Sequence, residues 1–131
     1  MRSALICCAL LVFATCAPSD AAKVHRTRKY RFMATAYSVE GITRKGTETE
    51  YGVVAADRSV LPLGTRVRVT GANEYSGVFV VEDTGSKVEG NHIDIYLPDD
   101  RAAKRFGVRL VGVEVIEWGD DEVLPQAESK K

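Results

Sequence analysis

Between residues 30 and 118, the chain consists of short runs of β-branched and aromatic residues separated by turn-forming residues. Such runs are typical of strands, and the glycine, proline and asparagine between them are typical of turns. The clearest runs occupy residues 30–37, 65–70, 77–82, 93–97 and 108–118. Closing a small sheet of about six such strands into a barrel removes its exposed edges. The pattern therefore predicts a mainly all-β fold, a small six-stranded barrel.

One short helix is predicted between the last two runs. Asp99 can cap its first turn, and Asp100 favours the positive end of the helix. Residues 102–106 form the helix body, and Gly107 offers a stop because glycine readily leaves the helical conformation.

The composition is that of an ordinary globular domain. The chain has 131 residues, 45% of them hydrophobic, and its 18 basic residues balance its 18 acidic ones. This length predicts one domain. The charge balance gives no bulk basicity that would indicate nucleic acid as a partner.

The first residues have the order of a secretory signal. Met1 and Arg2 supply a positive start, residues 4–14 form an uninterrupted apolar run, and small residues follow. The run is too short for a membrane-spanning helix, which needs about 20 residues. We therefore expect a signal peptide at residues 1–21, no transmembrane span, and export to the periplasm, the cell envelope or the medium.

All three cysteines, Cys7, Cys8 and Cys16, lie in this leader. The remaining domain would contain no thiol, which removes any case for thiol catalysis. Cys16 stands where a bacterial lipoprotein carries its lipid, but residues 13–15 depart from the usual lipobox. We favour export without a lipid, and anchoring through Cys16 is the alternative.

Two flanks border the predicted barrel. Residues 22–33 are basic and are expected to be a linker that leads into the barrel. Residues 34–118 form the barrel domain itself. Residues 119–131 are acidic and then end in lysines, which predicts a disordered tail.

Asp83 and Asp94 stand out because each interrupts apolar surroundings. Asp94 lies between Ile93 and Ile95, and the period of two in a strand puts Asp94 and Tyr96 on the face opposite the isoleucines. Asp83 ends a valine-rich strand just before a glycine turn. Either aspartate alone would be an ordinary strand-end residue that bonds to its own backbone.

The order of several motifs is more specific than any one of them. Residues 55–67 read AADRSVLPLGTRV, residues 81–85 read VEDTG, residues 90–96 read GNHIDIY, and FGVR follows at 106–109. This series resembles the 3D domain family, which takes its name from three aspartates. It is also similar to the catalytic core of membrane-bound lytic transglycosylase A and to the stationary-phase-survival muralytic proteins. The resemblance covers residues 34–116.

The resemblance implies a double-psi β-barrel and a site for glycan cleavage. Asp94 matches the catalytic acid/base of the family, and Asp57 and Asp83 match its supporting carboxylates. The expected substrate-binding residues are Thr35, Tyr37, Thr47, Thr84, Gly85, Asn91 and Tyr96. The implied partner is the glycan strand of peptidoglycan, the implied bond is the MurNAc-GlcNAc β-1,4 bond, and the implied product has a 1,6-anhydro-MurNAc end.

A group of three carboxylates suits this chemistry. Several carboxylates that share one site cannot all ionise cheaply, so we expect one to keep its proton near neutral pH. That acid can protonate a glycosidic oxygen. In a lytic transglycosylase the muramic acid's own C6 hydroxyl then attacks, and the same aspartate removes its proton.

We do not expect the other polar and aromatic residues of the barrel to be catalytic. His92 is a lone histidine of the barrel, and we expect it to be a surface or turn residue. Tyr37 and Tyr96 could stack on sugars or simply pack. The three aspartates lack the dense spacing of a calcium loop, so we predict no metal. We also expect no cofactor and a monomer.

Two other classes of function compete with the enzyme. A non-catalytic module could bind glycan on the same barrel, because a fold does not fix an activity. Asp83-Thr84-Gly85-Ser86 also spells the signature of an aspartic protease. Glu82, however, puts a charge where that class has an apolar residue, and Asp57 and Asp94 would have no role in a protease.

Overall fold

The computed structural model describes residues 28–123, and these residues form a closed β-barrel of six strands with one short helix. The predicted signal peptide, Cys16 and the end of the predicted tail lie outside the described residues. The mainly all-β, six-stranded architecture predicted from the sequence is confirmed.

The strands run in a mixed order around the barrel. They are β1 (Lys29–Tyr37), β2 (Val53–Ala56), β3 (Arg66–Thr70), β4 (Gly77–Asp83), β5 (His92–Tyr96) and β6 (Arg109–Glu117). Around the barrel the order is β1, β5, β2, β4, β3, β6, closing back onto β1. β1 and β5 are parallel, as are β2 and β4, and the other neighbours are antiparallel. β1 already begins at Lys29, so the segment expected to be a basic linker ends in a strand.

Alternate residues along the strands face an apolar interior, and the short strand β2 is buried on both of its faces. Ala34 on β1, Val54 and Ala56 on β2, and Ile93 and Ile95 on β5 are buried in one hydrophobic core. Their sequence neighbours therefore point out of the barrel. Each large aliphatic side chain buried in this way contributes about 1.5–3 kcal/mol to folding.

A β-bulge between β2 and β4 changes this alternation at one place. Val54 pairs with Val81, but the next residue, Ala55, pairs with Asp83, so Glu82 is an extra residue on β4. Val81 points into the core. Without the bulge Asp83 would share that direction, because residues two apart in a strand lie on one face. The extra residue instead turns Asp83 to the outside, as bulges beside functional sites commonly do.

The predicted helix is present as α1 (Asp100–Phe106). The side chain of Asp99 accepts a hydrogen bond from the backbone N–H of Arg101 at 3.1 Å, which caps the first turn. Gly107 ends the helix with a positive φ of 63°. Phe106 belongs to the core. Within residues 28–123, no helix is long and apolar enough to cross a membrane.

The segment after β6 departs from the expected disordered tail. Residues 119–123, here called the C-terminal strap, lie against the turn that follows β2. The Asp121 carboxylate forms an ion pair with Arg58 at 2.6 Å and accepts the backbone N–H of Leu63 at 3.0 Å. The Gly119 N–H donates to the Thr65 hydroxyl at 3.0 Å. The acidic composition that predicted disorder thus supplies the partner for an arginine.

Candidate active site

Four residues from neighbouring strands form a row on the outside of the barrel. Thr35 on β1 pairs with Asp94 on β5, Asp94 pairs with Ala55 on β2, and Ala55 pairs with Asp83 on β4. We call these four residues the outer row. Neighbouring strands lie about 4.8 Å apart, so the two aspartates, two strands apart, are separated by roughly 10 Å. The fold brings Asp94 and Asp83 to one surface, but not into contact.

Asp94 is half-buried at the centre of the outer row. The Thr35 hydroxyl donates a hydrogen bond to Asp94 Oδ1 at 2.9 Å. Burial raises the pKa of the Asp94 carboxyl above its ordinary value, and this outweighs the lowering effects of Thr35 and of His92. The negative charge of Asp83 adds a smaller upward effect on that pKa.

This cause differs from the one expected from the sequence. Crowding of three carboxylates was expected to keep one acid protonated. Removal from water is instead the main reason for the raised pKa of Asp94, since burial disfavours the charged form of an acid. Asp83 acts from about two strands away, and Asp57 makes no contribution to the shift.

His92 is not the surface or turn residue that we expected. It is the first residue of β5, it is half-buried, and its Nε2 lies 2.8 Å from the Thr35 hydroxyl oxygen. A signal for this was present in the sequence. His92, Asp94 and Tyr96 are spaced by two in one strand, so the alternation that placed Asp94 and Tyr96 on one face placed His92 there too.

Asp83 is held by the backbone of two segments. Its Oδ1 accepts the N–H of Arg44 at 3.0 Å and the N–H of Thr84 at 2.9 Å. Thr84 and Gly85 line the surface depression beside it. Two amide donors fix the direction of the carboxylate, so Asp83 presents a charge of set position at this end of the row.

A hairpin over residues 42–48 forms the wall next to Asp83. Ile42 and Glu48 form its closing bridge. Thr47, expected to bind substrate, donates its hydroxyl to Glu82 Oε2 at 2.6 Å. The N–H of Lys45 also donates to the carbonyl of Glu82 at 2.9 Å. Thr47 therefore fastens the hairpin to the bulged end of β4.

Two tyrosines pack together beside the outer row. The rings of Tyr37 and Tyr96 meet edge to face with centroids 5.4 Å apart. Tyr96 is only 3% exposed, so its ring packs within the protein. The Tyr37 hydroxyl is buried and makes no hydrogen bond with any residue between 28 and 123. Burial, followed by the charges of Asp83 and Asp94, strongly raises the pKa of Tyr37.

Asp57 lies apart from the outer row, in the exposed turn after β2. Its Oδ1 accepts the Ser59 N–H at 2.9 Å and the Ser59 hydroxyl at 2.6 Å, and its Oδ2 accepts the Gly90 N–H at 2.9 Å. The Ser59 hydroxyl is the main cause of the lowered pKa of Asp57. This carboxylate ties two loops together and borders the same depression as Thr84 and Gly85.

Asn91 faces a different part of the surface. Its side-chain amide donates to the carbonyl of Arg31 at 3.4 Å. It lines an apolar depression with Tyr30, Phe32 and Trp118. The structure thus does not bring the Asn91 side chain to Asp94.

The described part of the chain contains no group of three or more acidic, histidine or cysteine side chains arranged to hold a metal ion. The expectation of chemistry without a metal stays a prediction.

The sequence pattern and this site together define a family. The 3D domain model matches residues 52–117, which include β2 to β6 and all three aspartates. The chain belongs to the 3D domain family.

Two curated relatives come from Bacillus subtilis (strain 168). The chain is 35% identical over 92 residues to the cell wall-binding protein YocH, covering 63% of this chain and 31% of that protein. It is 38% identical over 64 residues to the putative cell wall shaping protein YabE, covering 49% of this chain and 15% of that protein. The chain thus spans less than a third of the length of either relative.

Two solved structures share the barrel. MltA from Escherichia coli, a lytic transglycosylase, matches with a TM-score of 0.50 and 23% identity over 62% of this chain and 28% of that one. An expansin from Clavibacter matches with a TM-score of 0.50 and 21% identity over 69% of this chain and 51% of that one. These likenesses confirm the predicted double-psi β-barrel.

Proposed function

We propose that this protein is a peptidoglycan lytic transglycosylase with Asp94 as its single acid/base. The observation that carries the proposal is the half-buried Asp94 carboxyl, whose pKa is raised by burial, at the centre of the outer row. Membership in the 3D domain family supports the same assignment. The names of the two relatives, which refer to cell wall binding and cell wall shaping, favour peptidoglycan as the substrate and the cell envelope as the location.

The first step is proton transfer to the leaving group. Because its pKa is raised, the Asp94 carboxyl holds its proton to higher pH than an ordinary aspartate. That proton can be donated to the oxygen of the MurNAc-GlcNAc bond as the bond breaks. The sugar ring then passes through an oxocarbenium-like state with positive charge near the anomeric carbon. Asp94, now ionised, stays beside this charge.

The second step closes the ring without water. The C6 hydroxyl of the muramic acid attacks the anomeric carbon, and the Asp94 carboxylate accepts the hydroxyl proton. The new bond gives a 1,6-anhydro-MurNAc end, and Asp94 recovers the proton that it donated. One carboxyl group therefore suffices, which fits a site in which Asp83 lies about two strands away.

The other two aspartates support this reaction in different ways. Asp83 presents a negative charge from a position fixed by two backbone amides. Such a charge stabilises the positive sugar ring and was in place before the reaction began. Asp57 orders the loops at Ser59 and Gly90 that border the groove.

The remaining predicted contacts differ in how well they are placed. Thr84 and Gly85 line the depression beside Asp83, and Tyr37 lies near both Asp83 and Asp94, which supports our proposal that these three contact glycan. Thr35 bonds to Asp94 directly. Tyr96, Thr47 and Asn91 act as supports or lie elsewhere, and we assign them no contact with the sugar. The protein is proposed to act as a monomer.

Mass spectrometry of digested peptidoglycan tests the proposal. The purified protein is incubated with purified sacculi, and the soluble products are examined for 1,6-anhydromuramic ends. Wild type should produce them, and Asp94→Asn should not. Hydrated reducing ends from wild type would show a hydrolase and contradict the proposed reaction.

A binding module is the second candidate, because YocH is named as a cell wall-binding protein. On this alternative, well-folded wild type would sediment with sacculi and release no product. Asp94→Asn would then bind as well as wild type. Formation of the anhydro product distinguishes the two candidate functions, whereas affinity for sacculi does not.

The aspartic protease alternative has little support from the geometry. Asp83 Oδ1 is occupied by two backbone N–H donors, from Arg44 and Thr84. A protease would also leave the half-buried Asp94 without a role. Absence of casein cleavage would close this alternative.

A further inference from the structure

A chain of hydrogen bonds leads from His92 through Thr35 to Asp94. His92 Nε2 lies 2.8 Å from Thr35 Oγ1, and Thr35 Oγ1 donates to Asp94 Oδ1 at 2.9 Å. All three side chains are half-buried and lie on the outer face of the parallel pair β1 and β5. The register sets this contact, because Met33 pairs with His92 and Thr35 pairs with Asp94.

The direction of the chain follows from the number of protons available. A threonine hydroxyl carries one hydrogen, and here it is donated to Asp94. The oxygen of Thr35 therefore offers only lone pairs to His92. With the Thr35 hydrogen directed to Asp94, His92 completes the chain when it carries a hydrogen on Nε2, either as the neutral Nε2–H tautomer or as the imidazolium.

The same reasoning distinguishes the two oxygens of Asp94. As long as Thr35 donates to Oδ1, a proton on Asp94 is carried by Oδ2. Within residues 28–123, Thr35 is the one hydrogen-bond donor to this carboxyl. Oδ2 is thus the oxygen with the free hydrogen-bonding capacity.

We propose that His92 is a positioning residue: its Nε2–H orients the Thr35 hydroxyl toward Asp94 Oδ1 and thereby leaves Oδ2 as the oxygen that carries the exchangeable proton. For catalysis this rests on the proposed function, because Oδ2 would then be the oxygen that meets the glycosidic bond. The chain of donors itself does not depend on the substrate.

The charged groups around His92 come from three segments. Arg31 lies two residues before Met33 on β1, and Asp94 lies two residues further along β5. Asp57 follows β2 at the next position in register, because Ala56 pairs with Ile93. Positive charge on His92 lowers the pKa of Asp94. The imidazolium would therefore oppose the burial that raises the pKa of Asp94.

Two variants at His92 distinguish the effect of the Nε2–H donor from the effect of the space that the ring fills. His92→Gln can place an amide N–H near the position of Nε2, whereas His92→Phe fills the space without a donor. We expect His92→Phe to lower kcat by about tenfold or more with a smaller change in KM, because the acid loses its orientation. His92→Gln should retain clearly more activity than His92→Phe. Met33→Leu, next to His92 on β1, is the matched control with wild-type activity.

NMR of the free protein tests the same chain without substrate. The ¹⁵N signals of neutral His92 should show the hydrogen on Nε2. The ¹³C carboxyl signal of Asp94 should titrate at higher pH in His92→Gln, because the positive charge is removed, and higher still in His92→Phe. In Thr35→Val, the pH at which the Asp94 signal titrates should no longer depend on residue 92. In Thr35→Ser, that dependence should return.

The outcomes are distinguishable from those that test the transglycosylase. If wild type yields no anhydro product but the NMR coupling is present, the proposed function fails and the positioning role stands. The positioning role is overturned if neutral His92 carries its hydrogen on Nδ1. It is also overturned if folded His92→Phe matches His92→Gln in both activity and Asp94 titration.

Discussion

Asp94 lies on β5 and Asp57 in the turn that follows the neighbouring strand β2, yet their environments shift the pKa values of the two carboxyls in opposite directions. Asp94 is half-buried and accepts one hydrogen bond, from a hydroxyl that is itself held by His92. Asp57 lies in a surface turn and accepts three hydrogen bonds, from the Ser59 N–H, the Ser59 hydroxyl and the Gly90 N–H. The pKa of Asp94 is raised, and that of Asp57 is lowered.

The difference shows how burial and hydrogen-bond donors have opposite effects on the pKa values of two carboxyls in one barrel. Donors that point at a carboxylate stabilise its charge and fix its position, whereas loss of water destabilises the charge. Asp121 in the C-terminal strap resembles Asp57 in this respect, because its pKa is lowered mainly by the hydrogen bonds from Arg58. Asp94 alone among the three has too few donors to offset its burial.

The largest expected effect is on activity. Asp94→Asn should lower the rate of anhydro product formation by about 100-fold or more, because a general acid/base contributes at least this much. Asp57→Asn should lower it only a few-fold, since it loosens loops without removing the acid. Rates of release of soluble muropeptides check both. Equal losses of rate in Asp94→Asn and Asp57→Asn would contradict the different roles proposed for the two aspartates.

The next largest effect concerns the C-terminal strap. A Cβ at Gly119 would lie 2.1 Å from the Leu63 carbonyl oxygen and 2.4 Å from the Thr65 nitrogen. Gly119→Ala should therefore lower the free energy of unfolding by about 1–3 kcal/mol, as overpacking does. Urea denaturation measures the loss. Gly41→Ala is the control, because nothing lies within 4 Å of its Cβ. A Gly119→Ala protein as stable as this control would mean that the strap does not hold the turn.

A smaller effect should appear in the pH dependence of stability. The unfolded Asp94 ionises near 3.8 and the folded one at higher pH. Across that interval the folded state binds more protons, so wild-type stability falls as pH rises, and Asp94→Asn should lack this fall. Asp57 ionises below 3.8 in the folded state, so its stabilisation is lost as the solution becomes more acidic than that.

The measurement is Tm against pH for wild type, Asp94→Asn and Asp57→Asn. At neutral pH, Asp94→Asn should be more stable than wild type and Asp57→Asn less stable. A change in Tm in the same direction in both variants would contradict the opposite effects assigned to burial at Asp94 and to hydrogen-bond donors at Asp57.

The smallest expected effect is at Tyr37. Its buried hydroxyl has no partner among the described residues, and an unsatisfied buried hydroxyl is a cost to folding. Tyr37→Phe should leave the free energy of unfolding unchanged or raise it, by no more than about 1 kcal/mol. Chemical denaturation of the folded variant checks this. A clear loss of stability would show that the hydroxyl makes a bond that stabilises the fold.

Much of the site could be predicted from strand alternation, and one part of it could not. The spacing of Ile93, Asp94 and Ile95 correctly placed Asp94 outside the barrel. The same rule would have placed Asp83 inside with Val81, and only the bulge at Glu82 reverses it. A bulge depends on how two strands pair, which no run of residues within one strand reveals.

Two other features could not be predicted, because they depend on contacts between segments that are distant in the sequence. Residues 119–123 look like a polar tail, but Arg58 and the backbone at Leu63 bind Asp121 from more than 50 positions away. The cause of the Asp94 pKa shift depends on burial, which a list of charges in the sequence does not give. The helix ends, by contrast, were predicted correctly because Asp99 and Gly107 act within a single turn.

The outer row has a consequence for how such a barrel can change during evolution. Its polar members, Thr35, Asp83 and Asp94, lie outside the apolar core, so the residues that fold the barrel and those proposed to cleave glycan are different residues. Replacing Asp94 with asparagine, which takes one base change in its codon, would leave this apolar core intact. A catalytic and a non-catalytic form of the proposed enzyme could therefore share one fold and differ by a single base in one codon.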